Sequence, residues 1–351
     1  MSTYATGIAD SRPVADPDAE PSRDIGGAAH LFNSAVAGFA IATAWETGAL
    51  DELSDRGRLN VQAFCASHDL HVASVRGMFA ALASAGVVVR AGDLVSAGPQ
   101  FADVYRNKAF FHWLTIGCGE LFSNMARIVH NRNRSGEFYR RDAAGIAFAC
   151  REINARCFDP VFFRAIESLD FSPVAFADLG CGSGGRLVQL TDRFPAARGV
   201  GVDISADALR ESEKFVHEAC FGERLSFVEA DARSLEPDDQ FADVELLTCF
   251  MMGHDFWPRE RCVASLHRLR RAFPRARRFL LGDTARTQNI PDTEKPMFTL
   301  AFETAHDLMG VHLPTLADWA GVFDEGGWQC VNVHMVDTPA DSVLYELTPL
   351  R

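Results

Sequence analysis

Four glycines fall within six residues, Gly180, Gly182, Gly184 and Gly185, in the segment Val174–Arg186 (VAFADLGCGSGGR). A glycine-rich stretch between an apolar run and a helical pattern lets a backbone approach a nucleotide-like ligand more closely than a Cβ would permit. Asp178 ends the apolar run that leads into it. Asp203 ends the next one, Gly199–Ile204, about 20 positions beyond the turn, where a carboxylate is placed to bind ribose hydroxyls. Asp231, in Val228-Glu-Ala-Asp-Ala, is a third acid after a strand-like run. The other chemistry-bearing stretch is Met251-Met-Gly-His-Asp-Phe-Trp257. His254 there has three readings: a satisfied core histidine, a general base, or a metal ligand.

The D-x-G-x-G-x-G spacing of Asp178, Gly180, Gly182 and Gly184, followed by V-D at Asp203 and by Asp231, resembles the class I methyltransferases that use S-adenosylmethionine. Gly180, Gly182 and Gly185 also fit the nicotinamide fingerprint, but the acid two residues before the first glycine favours the methyltransferase pattern. The segment M-M-G-H-D-F-W-P-R-E, with F-H-W upstream and E-x-x-H-D-x-M-G downstream, is similar to the phenylpyruvate C3-methyltransferase family, from about Ala28 to the C-terminus. The resemblance implies methylation of the β-carbon of a 2-oxo acid beside one transition-metal ion, iron or zinc. It implies that His254 and His306 are the metal ligands and that Arg141 binds the substrate carboxylate. Trp113, Met251 and Asp255 then line the acceptor pocket, with Asp255 orienting a water or taking a proton. The product, a β-methyl-2-oxo acid, points by the same resemblance to β-methyl amino acids and peptide antibiotic biosynthesis.

By residue type alone, blander readings stand beside these. His306 sits next to Asp307, as on a polar helix face. Arg141 neighbours Arg132, Arg134 and Arg140, and a basic cluster is usually a solvated surface. Trp113 and Met251 are ordinary core residues by type. Asp283, Glu303 and Asp307 are reserve ligands should two histidines be too few. An O-methyltransferase with His254 as base and no metal is the alternative enzyme. A ligand-binding regulator without catalysis is the alternative of another class.

The elements that must position these residues follow from periodicity. Strands are expected at 176–179, 199–203, 225–229, 244–250 and 279–283, and two more at 329–336 and 342–347. Their alternation with helices predicts an α/β fold with a mainly parallel seven-stranded sheet, Rossmann-like, whose ligands sit at the carboxyl ends of the strands. Upstream, helices are expected at 28–50, 61–67, 72–85, 101–129 and 143–169, with a small hairpin at 87–90 and 94–96. Helix, turn, helix, hairpin is a winged-helix order. With Arg76 the only basic residue on its second helix, DNA binding is disfavoured. The arrangement resembles the N-terminal dimerisation domain of small-molecule methyltransferases, and the resemblance implies a second copy and the 2-oxo acid as partners. The expected division is a disordered tail at 1–23, a helical winged-helix dimerisation domain at 24–165 and a methyltransferase domain at 166–351.

The chain has 351 residues, 48% hydrophobic and 23% charged, with net charge −13. That charge disfavours nucleic acid or an anionic membrane as a partner. Nine cysteines, an odd number with no C-x-x-C pair, fit a reducing cytoplasm rather than a disulfide framework. No signal peptide and no uninterrupted apolar run of membrane-spanning length are visible.

Overall fold

A computed structural model describes residues 26–218 and 220–350. The tail expected at 1–23 lies outside these residues. The strands are β1 (Arg58–Asn60), β2 (Val88–Ala91), β3 (Leu94–Ala97), β4 (Ala175–Leu179), β5 (Arg198–Asp203), β6 (Leu225–Glu229), β7 (Leu246–Phe250), β8 (Arg278–Thr284), β9 (Trp328–Val336) and β10 (Ser342–Pro349). The last seven form one sheet, in the order β6-β5-β4-β7-β8-β10-β9. β4 through β8 are parallel, and β10 runs antiparallel to both β8 and β9. All seven lie within a few residues of the expected positions.

Every residue of β4 is buried, as a strand covered on both faces requires. The chain enters the sheet at β4, builds outward to β6, then returns to place β7 on the other side of β4. That reversal opens a crevice at the carboxyl ends of β4 and β7. The glycine turn follows β4 and the segment 251–257 follows β7, so the topology brings the two chemical stretches to one crevice.

The helical region differs from expectation in its breaks. The first helix, Gly26–Glu46, stops before Gly48, which takes φ +80, and a separate helix, Ala49–Arg56, follows. β1, which was not anticipated, joins β3 to make a three-stranded sheet with β2. The helices Val61–His68 and Val72–Ser84 stand where the periodicity put them. Arg76 is bound by Asp93 through two hydrogen bonds, of 2.8 and 2.7 Å.

The long helices expected at 101–129 and 143–169 are each interrupted by a π-helical turn. One spans Trp113–Gly117, after the helix Phe101–His112, and short helices at Gly119–Ser123 and Met125–Ile128 follow it. The other spans Asn154–Phe158, between the helices Ala143–Ile153 and Asp159–Glu167. Such single-turn insertions leave the chain helical on both sides, so a reading for helix alone does not mark them.

Polar residues, among them His30, Asn33, Ser34 and Thr43, interrupt the apolar stretch of the first helix, so no uninterrupted apolar run of spanning length occurs there. The helix Gly26–Glu46, at 21 residues and a mean hydropathy of 1.2 over its most apolar window, is long and apolar enough to cross a membrane. Its residues Ala37, Ala40, Ile41, Ala42, Ala44 and Trp45 are buried in the fold. Leu31, Phe32, Val36 and Phe39 are exposed, Leu31 and Phe32 at over 70%.

Candidate functional site

The glycine turn begins at the end of β4. Gly180, Gly182 and Gly184 take φ of +68, +50 and +77, a region that residues with a Cβ rarely adopt. A Cβ on Gly180 would also stand 2.6 Å from Sδ of Met252, so the turn packs directly against the segment after β7. Asp203, at the end of β5, holds the turn from the side: its carboxylate accepts the Gly182 N–H at 3.0 Å and the Ser205 N–H at 2.9 Å. Asp178 is buried, and Thr248 of β7 donates to it at 2.6 Å. Burial raises the Asp178 pKa to about 6, against the lowering effects of the Thr248 hydrogen bond and the Arg186 charge.

Two cavities flank the turn. One, of about 270 Å³, runs along Asp178, Gly180, Gly182 and Arg186. The other, of about 250 Å³, is lined by Gly180, Asp203, Asp231, Arg141, Met252 and Asp255. The structure thus gathers all of the expected cofactor residues but Gly184 around these two spaces; Gly184 sits beneath the turn, against Ser212. Asp231 is paired with Arg233 at 2.8 Å, and that pairing, chiefly the side-chain hydrogen bond, holds its pKa below the usual carboxylate range. Arg233 is a lining residue that sequence reasoning missed, and a basic residue two positions after Asp231 was the available signal.

His254 lies on a short 3₁₀ turn, Gly253–Phe256, just after β7. His306 is in the helix Thr299–Met309. They are 52 residues apart in sequence, both buried, and their Nε2 atoms face each other at 3.2 Å with perpendicular rings. The opposite nitrogens are committed. His254 Nδ1 meets the Asp283 carboxylate at 2.8 Å, and His306 Nδ1 meets the Phe302 carbonyl at 2.7 Å. The Asp283 carboxylate, which also accepts two backbone N–H groups, and the Phe302 carbonyl both act as acceptors, so in each ring Nδ1 is the donor. Two neutral rings would then point lone pairs at one another, an arrangement that needs a proton or a cation between them. Burial lowers the basicity of His254, but the charge and hydrogen bond of Asp283 outweigh it and leave the pKa raised. Burial, then the charge of His254, pushes His306 down to about 2.

Of the reserve acids, Asp283 orients His254 from behind instead of joining the two facing nitrogens. It also accepts the His254 backbone N–H, at 2.5 Å. Glu303 is taken by Lys295 and Thr287, and Asp307 by Arg286. Among the described residues, no group of three or more His, Cys, Asp and Glu is disposed to hold a metal ion.

The remaining expected residues surround the pair. Met251 has φ +55 and accepts a contact from Thr284 Oγ1 at 3.4 Å through its sulfur. Asp255 is exposed and lines the second cavity, as does Arg141. The Arg141 charge is close enough to both histidines to oppose their protonation. Trp113 is buried against Phe298 and Phe302, with centroids at 4.8 and 6.1 Å, and Phe302 continues to His306 at 4.2 Å. The basic cluster divides: Arg134 caps the helix that carries His306 by donating to the Leu308 carbonyl at 2.9 Å, while Arg141 lines the cavity.

Comparison with known proteins finds methyltransferases. Residues 176–273 match the family model described as a methyltransferase domain. The chain is 48% identical to methyltransferase ungE' of Aspergillus campestris, over 91% of this chain and 96% of that protein. It is 29% identical to the indolepyruvate C-methyltransferase of Streptomyces griseus, over 86% of this chain and 89% of that protein. The fold is shared with the mitomycin 7-O-methyltransferase MmcR, at a TM-score of 0.61 and 18% identity, over 91% of this chain and 96% of that one.

Proposed function

Because the chain belongs to the S-adenosylmethionine-dependent methyltransferases, we propose that it methylates the β-carbon of a 2-oxo acid, of the phenylpyruvate or 4-methyl-2-oxovalerate type, with an iron or zinc ion held by His254 and His306. The observation that carries this reading is the pair of facing Nε2 atoms at 3.2 Å, each ring locked from behind at Nδ1. His254 and His306 would hold the ion through their Nε2 atoms, which already stand close enough to share one ligand. A carboxylate or carbonyl behind a ligand histidine is the usual means of fixing its tautomer. When bound, the metal acts as a Lewis acid on the ketone and acidifies the adjacent C–H.

The chain's own residues supply the rest. Arg141 pairs with the substrate carboxylate, for which a planar guanidinium is suited. Asp255, across the same cavity, takes the C3 proton or orients a water. Trp113 and Met251 wall the acceptor pocket. Asp178, Gly180, Gly182, Gly184, Asp203 and Asp231 hold S-adenosylmethionine, whose sulfonium supplies the methyl group. Indolepyruvate, named for one relative, is itself a 2-oxo acid. The product would serve a transaminase that makes a β-methyl amino acid, a building block of peptide antibiotics. An O-methyltransferase base would have to present its free Nε2 to a substrate hydroxyl, and His306 already stands before that atom.

In the same reading two copies pair through the exposed Leu31, Phe32, Val36 and Phe39 face, in a reducing cytoplasm suited to nine free cysteines. The same reading expects neither nucleic acid nor membrane as a partner; Arg76 is paired with Asp93, and the inner side of Gly26–Glu46 is part of the core. Light scattering at micromolar concentration should show a dimer, and a monomer alone would count against the pairing. The central test is C3 proton exchange of phenylpyruvate and 4-methyl-2-oxovalerate in deuterated water, with elemental analysis of protein purified without added metal. Exchange should depend on bound metal and should persist without S-adenosylmethionine. Full exchange and methylation by chelated protein would reject the metal.

A further inference from the structure

The π-helical turn Trp113–Gly117 packs against the start of the helix Ala143–Ile153, and the meeting point is a pair of glycines. Neither has a positive φ, so neither is there to form a turn. A Cβ on Gly117 would lie 2.7 Å from Cγ1 of Ile146 and 3.3 Å from its backbone N. A Cβ on Gly145 would lie 3.0 Å from Cγ2 of Ile116, 3.3 Å from Cγ of Asp142 and 3.4 Å from N of Gly117. The two backbones are therefore as close as residues without side chains allow.

The close approach is used for hydrogen bonding. The Cys118 N–H closes the π turn on the Trp113 carbonyl at 2.8 Å, and the Asp142 N–H reaches the Gly117 carbonyl at 2.9 Å. Asp142 in turn caps the helix by accepting the Gly145 N–H at 2.9 Å. Arg141 immediately precedes this doubly anchored residue, and its guanidinium lies against the Cys118 thiol. Trp113 is the first residue of the same π turn. π turns inserted in helices are commonly found at functional sites, where the extra residue re-aims a side chain.

We infer that the Gly117–Gly145 contact is the positioning joint that aims Arg141 at the acceptor cavity. The inference rests on the reading of Arg141 as the carboxylate partner. The two glycines act only through Arg141 and touch no substrate.

The experiment measures phenylpyruvate and S-adenosylmethionine affinities by calorimetry, with melting temperature as the check on folding. Gly117→Ala should weaken phenylpyruvate about tenfold, a modest loss for a side chain displaced by a fraction of an ångström. S-adenosylmethionine affinity should stay within about twofold. Gly145→Ala, whose clashes are milder, should follow the same pattern with a smaller loss, and it stands in if Gly117→Ala does not fold. Adding Ile146→Ala to Gly117→Ala removes the nearest clashing atom and should restore most of the affinity. In an Arg141→Ala background, Gly117→Ala should change phenylpyruvate affinity by less than about twofold, because the two act on one interaction. A folded Gly117→Ala protein with unchanged phenylpyruvate affinity overturns the joint, as does full additivity with Arg141→Ala. If Arg141→Ala alone leaves phenylpyruvate affinity unchanged, the carboxylate reading itself fails, and the joint loses its role with it.

Discussion

The glycine turn after β4 and the histidine pair beside β7 occupy one crevice, yet they are built in opposite ways. The turn works through backbone. Its positive φ values, its amide on Asp203 and its close approach to Met252 all arise within a short stretch and the strand ends beside it. The pair works through side chains. It takes His254 from a 3₁₀ turn, His306 from a helix 52 residues later, Asp283 from the end of β8 and a carbonyl from Phe302. Tolerance should differ accordingly. The turn can lose one contact and still present its other amides, whereas the pair has only two facing nitrogens, and among the described residues no third His, Cys, Asp or Glu is placed to share an ion with them.

The largest expected effect therefore falls on the pair. His254→Ala and His306→Ala should each lower turnover about a thousandfold, the several kcal/mol that a Lewis acid contributes, and should lose metal together with activity. Affinity for S-adenosylmethionine should be retained, and a parallel loss of cofactor binding would erase the contrast between the two regions.

The next test concerns Asp178, the buried acid at the root of the turn. Its folded-state pKa of about 6 stands above the ordinary 3.8. The stability that this group contributes is thus fully present below pH about 4 and is lost as pH rises through about 6. The difference between those two values corresponds to roughly 3 kcal/mol. Urea unfolding of the ligand-free protein between pH 4 and 7 should show that loss in the wild type, and Asp178→Asn should flatten it. Parallel profiles for the two proteins would mean that Asp178 ionises without hindrance.

Asp283→Asn probes the support behind His254. It should reduce metal affinity or turnover by about 10- to 100-fold, the usual penalty for losing an outer hydrogen-bond partner of a ligand histidine. Elemental analysis and initial rates read it directly. The smallest effect belongs to Asp203→Ala, expected to weaken S-adenosylmethionine binding by about tenfold, near the 1.4 kcal/mol of a lost charged hydrogen bond. Because the Gly182 amide would also lose its acceptor, a loss well beyond a hundredfold would show that the turn is held from outside as tightly as the pair.

The sequence alone was sufficient for the sheet, the glycine turn and the acids at its strand ends. Each of these is encoded locally: a continuous apolar run for a buried strand, glycines for positive φ, an acid where the strand stops. It was also enough, through resemblance, to single out His254, His306 and Arg141. What only the tertiary structure decided is which polar side chains meet. Nothing near Asp283, Glu303 or Asp307 in sequence says that the first backs His254, the second meets Lys295 and the third meets Arg286. Likewise Arg134 and Arg141, seven residues apart in one basic stretch, were divided between a helix cap and a cavity wall. The π turns at Trp113–Gly117 and Asn154–Phe158 escaped the sequence reading, which took each stretch as one continuous helix, because they carry no proline that would mark a break. Hydrophobic pattern fixes which face of an element is buried, but partners for hydrogen bonds and charges depend on distances between elements far apart in the chain. Only the packed sheet and helices set those distances.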